Sequence, residues 1–379
     1  MRSGEARTGM KCMFKTDMIK VHIALFILLL FLLLTGCSSM IGGKSLGNED
    51  TTVSVNGSKD KEGDRKEKKY GEEDSAITWP LVIKAGYSTS RDDPRGIAFE
   101  SMKEKVESET DGRILIEIHP DGELGSDNQL IEGLYKREVD MTVSSAGNYA
   151  LYAPRIGVSA LPFLFDDFES AWAFIDSDTM HDLCGDLEPY NMHVLAFFDN
   201  GFRCVTTKDR KVESAKDMKD LNIRTPDNQI VMETMSELGA RPRSYPFSEL
   251  KKALAAGVFD AQENPIPVIY NSSLYEVQNY LSITNHSYDA MPLTIRQDIW
   301  DHLPSEYQEI LETEAREAQT RNREMVARQT EDYVDLLKKK GMVINRPDLR
   351  EFAKATDGVL DVFANVYGKE LTETIAGLR

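Results

Sequence analysis

The sequence predicts an α/β protein of two lobes, and three observations carry that prediction. Strand-like and helix-like segments alternate along the chain. The stretch of globular composition runs from about Trp79 to the end, roughly 300 residues, a length at which single hydrophobic cores stop growing and chains divide. One helical segment is long enough to reach across both lobes.

The alternation is read as follows. Leu81-Val82-Ile83-Lys84-Ala85 is a strand, Gly96 to Glu109 an amphipathic helix, Ile114 to Ile118 a strand, Asn128 to Lys136 a helix and Asp140 to Val143 a strand. It resumes after His193 with strands over Val194–Phe198 and Asn222–Arg224 and a helix from Ile230 to Leu238. Strands separated by helical segments of this length imply βαβ units and a largely parallel sheet. From Ser305 to Lys340 there is neither Gly nor Pro, with Pro304 before the run and Gly341 after it, the favoured boundary residues of a helix. An apolar stripe through Tyr307, Ile310, Leu311, Ala315 and Ala318, continued by Met325, Val326, Tyr333 and Leu337, fits a single helix roughly 54 Å long. The stripe is too irregular for the sustained heptads of a coiled coil.

The N-terminus predicts export. Lys11, Lys15 and Lys20 precede an apolar run from Ile23 to Leu34, followed by Leu34-Thr35-Gly36-Cys37. A basic segment, a short apolar core and small residues before a cut site describe a secretory signal peptide over residues 1–36. The apolar core is well short of the roughly 20 residues that cross a bilayer. Leu-Thr-Gly-Cys resembles a lipobox, in which Cys37 would carry diacylglycerol; a plain signal peptide with an incidental cysteine is the alternative. Residues 1–17, with Glu5 and Asp17, are long and acidic for a leader, so Met10, Met13 and Met18 are candidate starts. Residues 37–75 are polar, as in Lys59-Asp60-Lys61-Glu62-Gly63-Asp64. They bury too little to offset chain entropy and are expected to form a flexible tether.

The chain carries a net charge of −18; residues 1–36 hold five Lys/Arg and two Asp/Glu, so their removal takes it to −21. Such a surface repels nucleic acid phosphates and excludes nucleic acid as a partner. It also makes the acyl group, rather than the protein surface, the expected membrane contact. An anionic ligand then needs a locally basic pocket. With Cys12 in the leader and Cys37 assigned to lipid, Cys184 and Cys204 remain, as one disulfide or as two buried thiols.

No Gly-x-Ser-x-Gly elbow, phosphate-binding loop, Gly-x-Gly-x-x-Gly fingerprint or His-Glu-x-x-His motif occurs. His119, His181, His193, His286 and His302 are not spaced as a metal pair. The sequence therefore predicts no catalytic residue, metal ligand or cofactor. Asn222-Ile223-Arg224-Thr225-Pro226 instead places an arginine at a strand end before a turn and a helix, where open α/β folds bind ligands. A guanidinium there can hold a carboxylate through two charge-assisted hydrogen bonds; a surface salt bridge is the other reading.

A series of ordered motifs makes the resemblance specific: Pro120-Asp121-Gly122-Glu123-Leu124-Gly125, Leu161-Pro162-Phe163-Leu164-Phe165, Asp199-Asn200-Gly201-Phe202-Arg203, Asn222-Ile223-Arg224-Thr225-Pro226, Pro246-Phe247-Ser248-Glu249-Leu250 and Asp260-Ala261-Gln262-Glu263-Asn264-Pro265. From about Ile83 to the C-terminus the chain resembles the substrate-binding proteins of tripartite ATP-independent periplasmic (TRAP) transporters. The resemblance implies a two-lobed periplasmic-binding-protein-like fold with a cleft between the lobes. Arg224 matches the carboxylate-clamping arginine, Arg203 a second arginine on the same acid or nearby oxygens, Asn264 an amide donor to the carboxylate, and Phe247 an aromatic wall. Ser88, Asp93 and Ser145 would close from the other lobe.

Three departures bear on specificity. Ala261 replaces the family's usual Gly, which would alter the turn if that position needs positive φ. Ser144-Ser145 stands where sialic-acid binders carry a glutamate. Asp93-Pro94 replaces a common His-Pro, and Asp93 has two roles open to it, accepting sugar hydroxyls or capping the next helix.

The expected architecture is lobe I over 76–200 and 290–329 and lobe II over 201–289 and 330–379. The expected function is capture of a small organic acid, first a hexuronate such as glucuronate or galacturonate, by hinge closure. Delivery would be to the membrane subunits of a TRAP permease, from an exported protein lipid-anchored at the outer face of the cytoplasmic membrane or in the periplasm. The alternatives are an extracytoplasmic enzyme acting on an acidic sugar and a ligand sensor for a receptor.

Overall fold

Nine strands build the sheet in the computed structural model, which describes residues 77–376; the leader, Cys37 and the tether lie outside the described residues. They are β1 (Leu81–Gly86), β2 (Ile114–His119), β3 (Met141–Val143), β4 (Met192–Thr207), β5 (Asn222–Thr225), β6 (Arg241–Ser244), β7 (Ala261–Pro265), β8 (Tyr280–Arg296) and β9 (Val343–Asn345). Their order is β2-β1-β3-β8-β4-β7-β5-β6, with β9 paired to β8.

The sheet is mixed, which corrects the expectation of a largely parallel one. Pairing is parallel for β1–β2, β1–β3, β5–β6, β5–β7 and β8–β9, but antiparallel for β3–β8, β4–β8 and β4–β7. Two sets of βαβ units are joined through two long strands, β4 of 16 residues and β8 of 17, which run in opposite directions and belong to both sets. Their register shifts at Val194/Ala196, Asp199/Gly201 and Arg203/Val205. Such bulges bend and twist a strand, so each strand serves two differently oriented halves. Gly201 sits in the central bulge at φ +107°, and a Cβ there would stand 3.1 Å from Val326 Cγ1 of the helix above. Only glycine meets both conditions without strain.

The long helix spans Ser305–Lys339, with Pro304 at its N-cap and Gly341 at φ +98° just past its end. Leu311, Ala315 and Ala318 pack with Phe99, Met102, Ile116 and Phe198 on the β1–β3 side. Leu337, at the other end, packs with Cys204, Leu250, Leu254 and Phe259 on the β5–β7 side. A third cluster collects Leu130, Ile156, Phe174 and Tyr288, and a fourth Val205, Ile223, Met235 and Phe352. Fully burying a Phe or Leu contributes about 2 kcal/mol, so each half has its own core and the fold is two-lobed. Of the C-terminal helices, Leu349–Ala355 places Phe352 in the fourth cluster and Asp357–Tyr367 places Val359 and Phe363 in the third. Cys184 and Cys204 are both free thiols.

Candidate ligand-binding site

The strand ends and the central bulges converge on one cavity between the halves. Six of the residues named from sequence line it: Arg224, Arg203, Asn264, Phe247, Ser145 and Ser88. Asp93 does not. It is buried as the N-cap of the helix Pro94–Glu109, its carboxylate accepting from the Arg95 backbone N–H at 3.1 Å and standing 3.9 Å from Arg95 Nε. Of the two roles open to it, the structure shows the cap. Ala261 lies within β7, paired with Thr207 and Ile223, and is absent from the positive-φ residues. A methyl group there is accommodated and the turn expected to change is a strand.

Arg224 is the penultimate residue of β5 and is buried. Its Nε and Nη2 both donate to the Tyr245 carbonyl, at 2.8 and 2.7 Å, and its guanidinium carbon lies 5.9 Å from the Phe247 ring centre. It forms no ion pair with a carboxylate among the described residues. Burial pulls it down to about 10, with Glu263 opposing, so it stays charged at neutral pH.

Arg203, on β4, is different. It donates through Nε and Nη2 to Glu263, through Nη1 to Asp289 at 2.6 Å, and through Nη2 to Asn264 Oδ1 at 3.2 Å. Burial alone would lower its pKa, but Glu263 and Asp289 raise it. The expectation of two free cations is thus altered: Arg203 is compensated internally by two carboxylates, whereas Arg224 has no carboxylate partner among the described residues. Behind Arg203, Glu263 also meets His286 Nε2 at 3.3 Å, and His286 Nδ1 meets Thr284 Oγ1 at 2.8 Å. Asn264 Nδ2 donates to Gln262 Oε1.

The other wall is polar, and the sequence reading missed most of it. Thr89, Arg95, Asp127, Asn148, Asn200 and Asp289 also line the cavity. Ser88 Oγ donates to Asp127 Oδ2 at 3.2 Å, and Ser145 Oγ donates to Asp289 Oδ1. Arg95 Nε, Asp127 Oδ1 and Asn148 Oδ1 are buried without a hydrogen-bond partner. Buried polar groups are normally satisfied, so these atoms have hydrogen-bonding capacity left over on the cavity wall. Two signals were present in the sequence: Asn200 belongs to the Asp-Asn-Gly-Phe-Arg motif, and Asp127 opens a helix behind the Ser126/Gln129 capping box.

The halves touch across the mouth. Asn128 Nδ2 donates across to Asp227 Oδ2 at 2.8 Å, and within its own half Asn128 Oδ1 accepts from Asn148 Nδ2 at 2.7 Å. Asn228 caps the helix Gln229–Glu237 through its side chain and rests directly on Gly147. Ile230 Cδ1 would stand 3.2 Å from a Cβ on Gly157. Among the described residues no group of His, Cys, Asp and Glu is arranged to hold a metal, and no helix is long and apolar enough to cross a membrane.

A two-lobed α/β fold with an uncompensated arginine and unsatisfied polar groups in an interlobe cavity defines a solute-binding protein. The comparisons make that specific. The family described as bacterial extracellular solute-binding protein, family 7 (DctP) matches residues 85–366. The 2,3-diketo-L-gulonate-binding periplasmic protein YiaO of Escherichia coli (strain K12) is 32% identical over 283 residues, 74% of this chain and 86% of that protein. The TRAP periplasmic solute-binding protein of Polaromonas sp. JS666, bound to D-erythronate, aligns with a TM-score of 0.76 at 30% identity, covering 78% of this chain and 97% of that one. Its Haemophilus influenzae counterpart with bound L-gulonate aligns with a TM-score of 0.75 at 29% identity, covering 79% and 99%. The chain belongs to the DctP family of TRAP solute-binding proteins.

Proposed function

We propose that the protein captures a polyhydroxylated monocarboxylate, a hexuronate such as glucuronate or galacturonate or an open-chain aldonate, and delivers it to the membrane subunits of a TRAP permease. The observation that carries this reading is the asymmetry of the cavity. Arg224 supplies a buried cation with no carboxylate partner, while the opposite wall offers unsatisfied oxygens on Asp127 and Asn148. A carboxylate head with a hydroxylated chain satisfies both ends. D-Erythronate and L-gulonate, seen in two related structures, have that form.

Capture works by closure. Arg224, Arg203, Asn264 and Phe247 belong to lobe II (201–289 and 330 onward), whereas Ser88, Ser145, Asp127 and Asn148 belong to lobe I (76–200 and 290–329). A ligand held by both sides stabilises the closed form over the open one, because only the closed form offers both sets of contacts. The aromatic face of Phe247 excludes water and strengthens the charge pair. Leu-Thr-Gly-Cys37 supports lipid anchoring outside the cytoplasmic membrane, with residues 37–75 as the tether. Cys37→Ala should then move the protein from the membrane fraction to the soluble one.

Isothermal titration against D-erythronate, L-gulonate, D-glucuronate and D-galacturonate tests the reading. Binding of at least one, at one site per chain and without turnover, is expected. Conversion of the bound acid would favour the enzyme instead, and failure of all four with folded, ligand-free protein would remove the assignment.

A further inference from the structure

We infer that Asp289 is a specificity-determining residue, which closes the second arginine of the cavity to ligand anions and so restricts the site to acids with a single carboxylate. The inference rests on the functional reading above and goes beyond it by naming what keeps a second carboxylate out.

The geometry is specific. Asp289 lies on β8 opposite Gly201, at the central bulge where β4 and β8 bend. It lines the cavity and is 3% exposed. Its Oδ2 accepts from Arg203 Nη1 at 2.6 Å and from Asn200 Nδ2 at 2.8 Å, and its Oδ1 accepts from Ser145 Oγ. Asn200 Oδ1 in turn accepts from Arg95 Nη2 at 3.4 Å. One carboxylate therefore ties together the cavity segment after β3, the bulge and Arg203.

The charge count around Arg203 follows. One guanidinium faces two carboxylates, Glu263 on the side away from the ligand and Asp289 on the cavity side. The trio is net negative by one. A monocarboxylate on Arg224 turns only its uncharged, hydroxylated end toward the wall that carries Asp289, Asp127, Asn148 and Arg95, so no like charges meet there. A dicarboxylate of the same length would set its second anion near Asp289 and Asp127, with Arg203 already taken. Placing a like charge against the unwanted ligand is one of the two ways a site discriminates, and it suppresses the wrong partner directly. Glu263 cannot serve this purpose, because it pairs with Arg203 from behind, beside His286. With Asp289 neutral, the trio balances and Arg203 Nη1 turns a charged donor to the cavity.

The experiment compares matched ligands that differ only at the terminal carbon. D-Glucarate is L-gulonate with its CH2OH oxidised to a carboxylate, and meso-tartrate relates to D-erythronate in the same way. Dissociation constants for both pairs are measured by calorimetry on the wild type and on Asp289→Asn, with circular dichroism and melting curves as the check on folding. Asp289→Ser, which removes the charge with a smaller side chain, is the second variant and replaces the first if that fails to fold.

The wild type is expected to bind a monocarboxylate and to discriminate against its dicarboxylate. Loss of Asp289 should shift that ratio toward the dicarboxylate by about tenfold or more, the scale of one like-charge contact. An unchanged ratio in a folded Asp289 variant, with the wild type still binding the monocarboxylate, would overturn the gate and leave the functional reading standing. A wild type that binds the dicarboxylates as tightly as the monocarboxylates would overturn the gate directly. A wild type that binds no acid would remove the functional reading, and the gate with it.

Discussion

Arg224 is oriented by the carbonyl of Tyr245, which accepts from both Nε and Nη2 at 2.8 and 2.7 Å. That bifurcated pair fixes the guanidinium plane at the end of β5 without neutralising it, and a fixed planar fork loses little entropy when it meets a carboxylate. Arg224→Ala should therefore weaken binding by about 30-fold or more, the scale of losing one member of a buried charge pair. Arg224→Lys keeps the charge but lacks the fork, and should recover only part of the affinity. Calorimetry on both variants, with apo melting curves showing the fold retained, checks the order wild type, Lys, Ala.

The proposed closure requires that Gly147 have no side chain. A Cβ there would overlap Asn228 Nδ2, and Asn228 cannot swing aside freely, because its Oδ1 accepts from the backbone N–H groups of Ile230 and Val231. Gly147→Val should hold the cleft open, lowering affinity about tenfold while leaving each half folded. Small-angle scattering reads this directly. The wild type should compact when ligand is added and the variant should not; equal compaction would show that the contact does not limit closure.

Asp199 predicts a pH dependence. Its carboxylate accepts from Trp172 Nε1 at 2.6 Å and from the Tyr288 hydroxyl, and Arg323 Nε stands 3.6 Å away. Burial nevertheless pushes it up to about 6, with Arg323 opposing. A folded pKa above the unfolded value of about 3.9 means that the stabilisation is complete below about pH 4 and is lost as pH rises through about 6. The size is about 3 kcal/mol, at 1.4 kcal/mol per pKa unit. Urea unfolding of wild type and Asp199→Asn from pH 4 to 8 isolates this group. The wild type should lose stability relative to the variant as pH rises, most steeply near pH 5, midway between the two pKa values; a constant difference would contradict the assignment.

Much of this fold was legible in the sequence. The helix from Ser305 was visible because a run without Gly or Pro, bracketed by Pro304 and Gly341, needs no tertiary information. The first βαβ unit was equally plain. β8 was not, because nearly all of its residues are buried on both faces, which erases the period-two alternation of a half-exposed strand. The mixed character of the sheet followed from that miss. In the site, residues inside ordered motifs (Arg224, Arg203, Asn264 and Phe247) were found. Asp127, Asn148 and Asp289 were not, since each is an ordinary polar residue until the fold brings it to the cavity. Asp93 shows the converse, a plausible ligand contact that local backbone geometry uses as a helix cap.

The most direct test of the central claim is a thermal-melting titration of the wild type and Arg224→Ala with polyhydroxylated monocarboxylates. A ligand that binds only the native state raises its stability with dose, by about 2.7 kcal/mol at a hundred times its dissociation constant. A dose-dependent rise with at least one sugar acid in the wild type, absent from Arg224→Ala, is the predicted result. An equal rise in both proteins would contradict the claim that Arg224 holds the ligand carboxylate.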